Sequence, residues 1–330
     1  MAKSPSNILV IRFSSIGDIV LTSPALRCIK RKYPHSTLHF LSKKKFVHAF
    51  SANPFIDKEI YWEGKKTLKH LARQKFDLVV DLHNNLRTRR VWFYLLKQRH
   101  RPKWVRFNKI NLAKWFAVRF KLKRVLPKKH IVHRYMKPLE KIGIPFDDKG
   151  LDYFIEQRFR IDIPKHYPGL EAKKYYAYAI GGQHETKKLP FHRQVDLLTQ
   201  LNQTTILLGG KEDYNDAEEL MKAVPNCHNA CGRYNLQESA SIIEQSRKVI
   251  THDTGLMHIA AALLKPIISI WGNTIPEFGM YPFYPVNFHD YENRQLEVDV
   301  YCRPCSKIGF KKCPYGHFKC MNKHDFTGLS

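Results

Sequence analysis

The chain has 330 residues, 43% of them hydrophobic, so it is long enough to bury the cores of two ordinary α/β domains. This length and composition exclude a disordered tail protein and a small disulfide-stapled scaffold. Lys and Arg number 56 against 29 Asp and Glu, a formal charge of +27, which indicates an anionic partner: nucleic acid, an anionic membrane or a phosphorylated substrate.

The N-terminal segment is typical of a cytoplasmic protein. Residues 1–7 are polar, and the apolar run 8–13 contains Arg12, so the segment does not resemble a signal peptide. No stretch reaches the roughly 18 apolar residues that a membrane span needs. We therefore expect the protein to stay in the cytoplasm, where its 7 cysteines are expected to be reduced.

In the first half of the chain, short apolar runs typical of buried strands alternate with helical patterns. The helical pattern 18–33 ends in several basic residues, which favour a helix C-terminus, and Pro34 stops it. The predicted strands are 8–13, 38–41, 59–62 and 78–82.

The second half repeats this alternation, which predicts parallel sheets with right-handed crossovers. The fold class is therefore α/β, with two Rossmann-like, doubly wound domains over 1–160 and 161–330, joined in the aperiodic stretch 155–174. The predicted strands are 175–180, 205–208, 248–251 and 267–271, and the predicted helices are 193–200, 214–223, 236–246 and 257–264.

The positive charge is concentrated in one stretch, since from Arg87 to Lys137 the chain carries 18 Lys and Arg and no Asp or Glu. Three interpretations stay open: a surface that rests on lipid headgroups, a single-stranded nucleic acid site, or a solvated basic face whose aromatics point into an ordinary core. The interleaved aromatics are Trp92, Phe93, Trp104, Phe107, Trp115, Phe116 and Phe120.

The first polar motif follows the first predicted strand. Ser14, Ser15 and Gly17 form a turn, and Asp18 begins the helix after it. In an open α/β sheet this is the carboxyl edge, where ligands bind, and the glycine permits close backbone approach. The alternative is that Asp18 is a helix cap.

The second motif follows the strand 248–251 and is suited to a diphosphate. Asp253, Thr254 and Gly255 open a helix whose N-terminal N–H groups can hold an anion, although an ordinary N-cap with a tight glycine has the same pattern. His258 comes one turn later, either at that site or as a core histidine. Two further loops at strand ends place Lys187 for a phosphate and Glu212 for a ribose hydroxyl.

Together these motifs resemble glycosyltransferase family 9, the bacterial heptosyltransferases of the lipopolysaccharide inner core. The resemblance lies in FSSIGDIVLTSPAL from Phe13, DLVVDLHNNLRTR from Asp77, KKLP from Lys187, ILLGGKED from Ile206 and THDTGLMHIAAALLKPIISIWGNT from Thr251, in the family's order over most of the chain. One departure is Leu189, where the family usually has tryptophan in K-x-W-P.

The resemblance implies a GT-B architecture, two Rossmann-like domains facing across a cleft, and an inverting transferase that requires no cofactor or metal. The sequence has no Asp-x-Asp motif to hold Mg²⁺. By similarity, Asp18 is the general base. The implied donor contacts are Lys187, Glu212, Asp253, Thr254, Gly255 and His258, and the implied acceptor contacts are Ser14, Ser15, Gly17 and Arg87.

The implied donor is ADP-heptose, and the implied partner is an anionic glycolipid acceptor at the inner face of the cytoplasmic membrane, where the basic aromatic stretch would make peripheral contact. A GT-B transferase with another nucleotide sugar or glycan acceptor shares Asp18 and remains an alternative. A basic nucleic-acid-binding protein is a third hypothesis, but the sequence shows no recognised nucleic-acid motif, so no nucleic acid partner is expected.

The C-terminal tail contains four cysteines within nineteen positions: Cys302, Cys305, Cys313 and Cys320. In a reducing compartment such thiols either hold a structural zinc ion or remain free and buried. The second pair is spaced more widely than in a standard zinc ribbon, which favours free thiols.

Overall fold

The computed structural model describes residues 4–288 and 293–329. The chain divides into two compact units. Unit 1 comprises Met1–Lys109 and Lys129–Phe154, and unit 2 comprises Ile110–Lys128 and Ile155–Ser330. Residues 110–128 therefore belong to unit 2 although they lie inside the predicted first domain, and 155–160 lie in unit 2 as well.

Unit 1 contains, among the described residues, a five-stranded sheet in the order β3-β2-β1-β4-β5 with every pair parallel. Its strands are β1 Asn7–Ile11, β2 Thr37–Ser42, β3 Lys58–Tyr61, β4 Leu78–Asp81 and β5 Lys103–Arg106. Its helices are α1 Ile16–Val20, α2 Ser23–Lys32, α3 Lys65–Arg73, α4 Leu86–Leu96 and α6 Ile131–Glu140, with a 3₁₀ turn at Lys44–Ala49.

Unit 2 contains, within the same described ranges, a six-stranded parallel sheet in the order β11-β10-β9-β6-β7-β8. Its strands are β6 Tyr176–Ala179, β7 Thr205–Leu208, β8 Cys227–Asn229, β9 Lys248–His252, β10 Ile267–Trp271 and β11 Arg294–Glu297. Its helices are α5 Asn111–Phe120, α7 Ile163–His166, α8 Phe191–Leu201, α9 Tyr214–Ala223, α10 Leu236–Gln245, α11 Gly255–Ala262 and α12 Lys319–Asn322. Its 3₁₀ turns are Lys123–Val125, Gln157–Phe159, Glu185–Lys187, Lys211–Asp213 and Pro276–Phe278.

The central strands of both sheets are buried on both faces, which is why they read as continuous apolar runs in the sequence. β1 pairs with β2 and with β4, so that Ile8 lies opposite both Leu38 and Leu78. The strand order reverses between β1 and β4 in unit 1 and between β6 and β9 in unit 2. Such topological switch points open a crevice at the carboxyl edge of a sheet, so they are the expected ligand sites.

The sequence prediction missed three strands, β5, β8 and β11, and all of them lie at sheet edges. An edge strand is short and often polar, because only one side of it is paired, so it lacks the apolar run that reveals a central strand. The predicted single helix 18–33 is also divided, since α1 ends before Thr22 and α2 starts at Ser23. Pro24 explains the break, because it has no N–H to donate and is therefore tolerated only in the first turn of a helix.

The segment Ile110–Lys128 joins unit 2 through a small apolar cluster. Ala117 of α5 and Leu126 are buried against Ile275 and Phe278. This contact between distant parts of the sequence explains why no local pattern placed the segment in unit 2. Among the described residues, no helix is long and apolar enough to cross a membrane.

Candidate functional site

The turn after β1 holds Asp18 at the switch point of unit 1. Its Oδ2 accepts hydrogen bonds from the backbone N–H of Ser15 at 3.2 Å and from the Ser15 hydroxyl at 2.9 Å. Its Oδ1 lies 2.7 Å from Nη2 of Arg12. Asp18 therefore closes a capping box on α1 and also forms an ion pair, so the cap interpretation describes part of its surroundings.

Arg12 is a site residue that the sequence analysis did not select. Its guanidinium is buried, and beside Asp18 it contacts three more oxygens. Nε donates to the Ser14 carbonyl at 2.8 Å, while Nη1 donates to the Leu82 carbonyl at 2.6 Å and to the Tyr135 hydroxyl at 2.9 Å. An arginine inside an apolar strand pattern was the available indication, because a buried charge requires partners.

The surroundings of Asp18 keep its carboxyl group ionised. Burial by itself raises its pKa, but the charge of Arg12 and the hydrogen bonds from Ser15 outweigh burial, so the pKa lies below its ordinary value. The carboxylate is therefore charged and oriented at neutral pH. These are the conditions for accepting a proton from a hydroxyl group placed against its remaining lone pairs.

The other residues predicted to contact the acceptor also follow β1 or β4, and they differ in how exposed they are. Ser14 contributes its carbonyl to Arg12, Gly17 is buried in α1, and Arg87 is exposed in the first turn of α4. The backbone N–H of Arg87 is bonded to Asn85, which caps α4.

His83 follows β4 across the switch point and was also missed. Burial, then the charges of Arg12 and Lys109, lower its pKa to about 3, so the imidazole is neutral at physiological pH. Its ring lies 5.5 Å from that of Phe13, and its Nδ1 is buried without a hydrogen-bond partner in the described part of the chain. The sequence signal that could have revealed His83 was the run of three polar residues, 83–85, that follows the apolar run of β4.

In unit 2 the structure brings together two predicted donor residues, Lys187 and Asp253. Nζ of Lys187 lies 2.5 Å from Oδ2 of Asp253 and 3.2 Å from the Asp253 carbonyl. The Thr274 hydroxyl donates to the same carboxylate at 2.9 Å. Burial raises the pKa of Asp253, but the charge of Lys187 and these hydrogen bonds outweigh burial and hold it below its ordinary value. The pair lies at the switch point between β6 and β9.

The start of α11 adjoins the loop that follows β6. Thr254 is the N-cap of α11, and its hydroxyl lies 3.2 Å from that of Thr251. Gly182 adjoins Thr254, since a Cβ built on Gly182 would be in ordinary van der Waals contact with Cγ2 of Thr254 at 3.6 Å. Gly255 provides the first residue of the helix. The N–H groups of the helix start and the Lys187 ammonium are therefore at one place on the sheet edge.

Two further predicted donor residues differ in exposure. His258 is buried in the first turn of α11, and its electrostatic interaction with Asp253 is a smaller cause of the lowered pKa of that carboxyl than those given above. Glu212 is exposed in the 3₁₀ turn after β7, and its carboxylate folds over Gly210, where any Cβ would collide with it. Glu212 is thus an accessible carboxylate one strand away from the Lys187–Asp253 pair.

Beside the Lys187–Asp253 ion pair, Lys188 forms ion pairs of its own, which the sequence analysis did not predict. Nζ of Lys188 lies 2.9 Å from Glu185 and 3.4 Å from the buried Asp213. Asp213 also accepts a hydrogen bond from the Gly210 N–H at 2.9 Å. Lys188 therefore neutralises a buried carboxylate, whereas Lys187 faces the helix start.

The four tail cysteines, Cys302, Cys305, Cys313 and Cys320, all lie in unit 2. In residues 4–288 and 293–329, no group of three or more His, Cys, Asp or Glu side chains is placed so that it could hold a metal ion. Cys302 and Cys320 pack instead in the hydrophobic core of unit 2, where a thiol behaves as a small apolar group. Cys305 and Cys313 are only partly buried, and the choice between a structural zinc ion and free thiols stays a prediction.

Each unit has a Rossmann-like parallel sheet with polar side chains at its switch point, and this pair of units defines the GT-B class of glycosyltransferase folds. Within that class the chain belongs to glycosyltransferase family 9 (heptosyltransferase), whose family model matches residues 65–312. The protein is accordingly a glycosyltransferase.

Individual relatives agree with this assignment. The chain is 25% identical over 309 residues to lipooligosaccharide heptosyltransferase 2 of Haemophilus influenzae, with 82% of this chain and 85% of the relative covered. The solved ADP-heptose lps heptosyltransferase II of E. coli has a TM-score of 0.69 at 18% identity, covering 96% of this chain and 98% of that one. The E. coli heptosyltransferase WaaC, solved with ADP-2-deoxy-2-fluoro heptose, has a TM-score of 0.61 at 20% identity, covering 82% and 90%.

Proposed function

We propose that this protein transfers a heptose from ADP-heptose to a lipopolysaccharide inner-core acceptor, with inversion at the anomeric carbon and without a catalytic metal. The names of the relatives support heptose as the sugar and lipopolysaccharide as the acceptor. The observation within the chain that carries the proposal is the Lys187–Asp253 pair beside the start of α11.

The donor diphosphate binds at the switch point of unit 2. The Lys187 ammonium and the N–H groups at the start of α11 supply positive charge where the diphosphate leaves, which is the role that a metal ion has in other transferases. Asp253 orients the ammonium toward the helix start through their 2.5 Å contact. Glu212, after the neighbouring strand, accepts a hydrogen bond from the ribose.

The chemical step forms one bond and breaks another at the anomeric carbon. The acceptor hydroxyl oxygen attacks from the face opposite the diphosphate, and the bond between carbon and the diphosphate oxygen breaks with its electron pair on the oxygen. The hydroxyl proton passes to the Asp18 carboxylate. Arg12 and Ser15 orient that carboxylate and take no proton themselves.

An anionic acceptor fits the positive field at the carboxyl edge of the sheet in unit 1. Lys43, Arg87 and Lys109 follow β2, β4 and β5. Burial, then the charges of Arg87 and Lys45, lower the pKa of Lys43, and burial, then Arg12, lower that of Lys109. Crowded like charges are costly, and an acidic sugar or phosphate group relieves that cost. Because this acceptor is a lipid, we place the enzyme at the inner face of the cytoplasmic membrane, in peripheral contact with it.

A donor screen followed by a transfer assay tests the proposal. ADP and ADP-heptose should raise the unfolding temperature more than UDP, GDP and their sugars do. Transfer to a heptose-free inner-core acceptor should continue in EDTA, and NMR of the product should show the opposite anomeric configuration to the donor. Selective stabilisation by UDP or GDP would assign another donor, and dependence on added Mg²⁺ would overturn the metal-independent step.

A further inference from the structure

Helix α5 carries apolar side chains both in its buried contact with the rest of unit 2 and at the surface. Its inner side, around Ala117, is buried against Ile275 and Phe278. At the surface, Trp115 is 46% exposed and packs edge-to-face against the half-buried Phe116, with ring centroids 5.1 Å apart. A helix at the surface of a water-soluble unit ordinarily has a polar outer side, so the exposed aromatic side chain requires an explanation.

The exposed apolar side chains continue past the end of α5. Five of them are between 46% and 70% exposed, which is far more than a core position allows. Phe120 packs on Trp115 at 5.5 Å, so the aromatics form one cluster. The five residues are Leu112, Trp115, Phe120, Leu122 and Val125.

The cysteine-rich tail lies along α5 and extends this patch. Nζ of Lys121 donates to the carbonyls of Cys302 at 3.0 Å and Pro304 at 2.8 Å. Nζ of Lys307 donates to the Asn111 carbonyl at 3.1 Å, which places the exposed Ile308 next to the start of the helix. We call Leu112, Trp115, Phe120, Leu122, Val125 and Ile308 the α5–tail surface.

The two segments that form the α5–tail surface carry only positively charged side chains among their Lys, Arg, Asp and Glu positions. Segments 110–128 and 301–324 together carry 12 Lys and Arg and no Asp or Glu. A carboxylate from elsewhere, Glu277, lies 3.8 Å from Lys123. The exposed cations Arg119, Arg124, Lys311 and Lys312 form no ion pair with a carboxylate in the described part of the chain. The surface therefore combines apolar side chains with uncompensated positive charge.

We propose that the α5–tail surface docks on an anionic phospholipid bilayer, with its apolar side chains among the headgroups and its cations on lipid phosphates. The mixture of exposed apolar groups and cations matches such a surface. The aliphatic side chains favour lipid over single-stranded nucleic acid, because bases stack on aromatic rings and gain little from leucine or valine. The proposal deepens the proposed function, since it names the part of the chain that meets the membrane of a lipid acceptor.

Vesicle sedimentation with the full-length protein tests this docking. At 0.15 M salt the protein should bind phosphatidylglycerol-containing vesicles at least about tenfold more tightly than pure phosphatidylcholine vesicles. The triple variant Trp115→Ser, Phe120→Ser, Leu122→Ser should lose about tenfold in binding, and Arg119→Glu with Arg124→Glu a similar factor. The matched control is Phe93→Ser on α4 of unit 1, a side chain that is 57% exposed, and it should bind as the unchanged protein does.

Unchanged vesicle binding by the triple variant would overturn the proposal, as would an equal loss in the Phe93→Ser control. Displacement of the protein from vesicles by an oligonucleotide, with loss of oligonucleotide binding in the triple variant, would assign the surface to nucleic acid and overturn it too. Circular dichroism and thermal unfolding of every variant show whether the variants are folded. Vesicle binding involves no sugar, so it succeeds or fails independently of the donor screen.

Discussion

Arg12 and Asp18 form a 2.7 Å ion pair at the end of β1, and the remaining guanidinium contacts of Arg12 extend to β4 and α6. The carboxylate is thus oriented by a side chain that is itself held by Ser14, Leu82 and Tyr135. Arg12 acts through Asp18, so it is a positioning residue of the proposed site.

Replacement of Asp18 by asparagine separates chemistry from binding. Asp18→Asn should lower kcat by about 10²–10⁴-fold, because the amide cannot accept the proton, while ADP affinity stays unchanged. Steady-state kinetics and calorimetric titration with ADP measure the two effects. Ser15→Ala is the control, since it removes one hydrogen bond to the carboxylate and should cost less than about tenfold. Transfer by Asp18→Asn at the rate of the unchanged protein would disprove the base assignment.

Replacement of Arg12 should move the pH profile of the enzyme. Arg12 lowers the pKa of Asp18, so Arg12→Gln should raise that pKa and shift the acid limb of kcat to higher pH. The variant should also unfold at lower temperature, because a buried carboxylate loses its partner.

Two companion variants separate charge from folding in this experiment. Arg12→Lys retains the charge and should restore most of the acid limb. Tyr135→Phe removes a hydroxyl that contacts both Arg12 and Asp18 but keeps the charge of Arg12, so it should shift the limb less than Arg12→Gln does. An acid limb that is identical in Arg12→Gln and the unchanged protein would contradict the role of the ion pair.

The adjacent lysines Lys187 and Lys188 should differ in their effects. Lys187→Ala should weaken ADP binding by about tenfold or more, because a charge-assisted contact to the diphosphate is lost. Lys188→Ala should chiefly lower the unfolding temperature, because it leaves the buried Asp213 without its cation. Calorimetric titration and thermal unfolding of both variants compare the two residues. Equal ADP affinity in Lys187→Ala and the unchanged protein would move the phosphate contact to Lys188 or to the start of α11.

Stability should fall as the pH decreases from about 6.5 toward 4. Burial lowers the pKa of His39 to about 4, of His252 to about 3 and of His324 to about 4. In the unfolded chain these groups take up protons near pH 6.5, whereas in the folded chain they stay neutral, so acidification favours unfolding. Each of these histidines lowers the free energy of unfolding by at most about 1.4 kcal/mol for every pH unit of acidification within that window.

Urea unfolding at pH 7.5, 6.0 and 5.0 measures this slope. His252 is the most informative position, because its Nε2 accepts the N–H of Leu189 at 3.1 Å next to the donor lysines. His252→Gln keeps an acceptor without the titration and should flatten the slope. Equal unfolding free energies at pH 7.5 and 5.0 would contradict the prediction.

Individual strands and helices show which parts of the fold could be predicted from the sequence. β7, β10 and α9 were predicted with their observed bounds, because an apolar run or a 3.6-residue period extends over the whole element. The edge strands β5, β8 and β11 were missed because they lack such a run. The basic aromatic stretch was predicted as one region, but the structure divides it: α4 belongs to unit 1 and α5 to unit 2.

The sequence by itself determined the class of fold and the positions of Asp18, Lys187 and Asp253 in the segments that follow buried strands. This follows because parallel central strands require continuous apolar runs, and the residues after them must lie at the ligand-binding edge. The tertiary structure alone decided which side chains meet: Arg12 with Asp18, Lys187 with Asp253, and α5 with Phe278. Such partners are brought together by packing between distant segments, and no local period or spacing encodes those contacts.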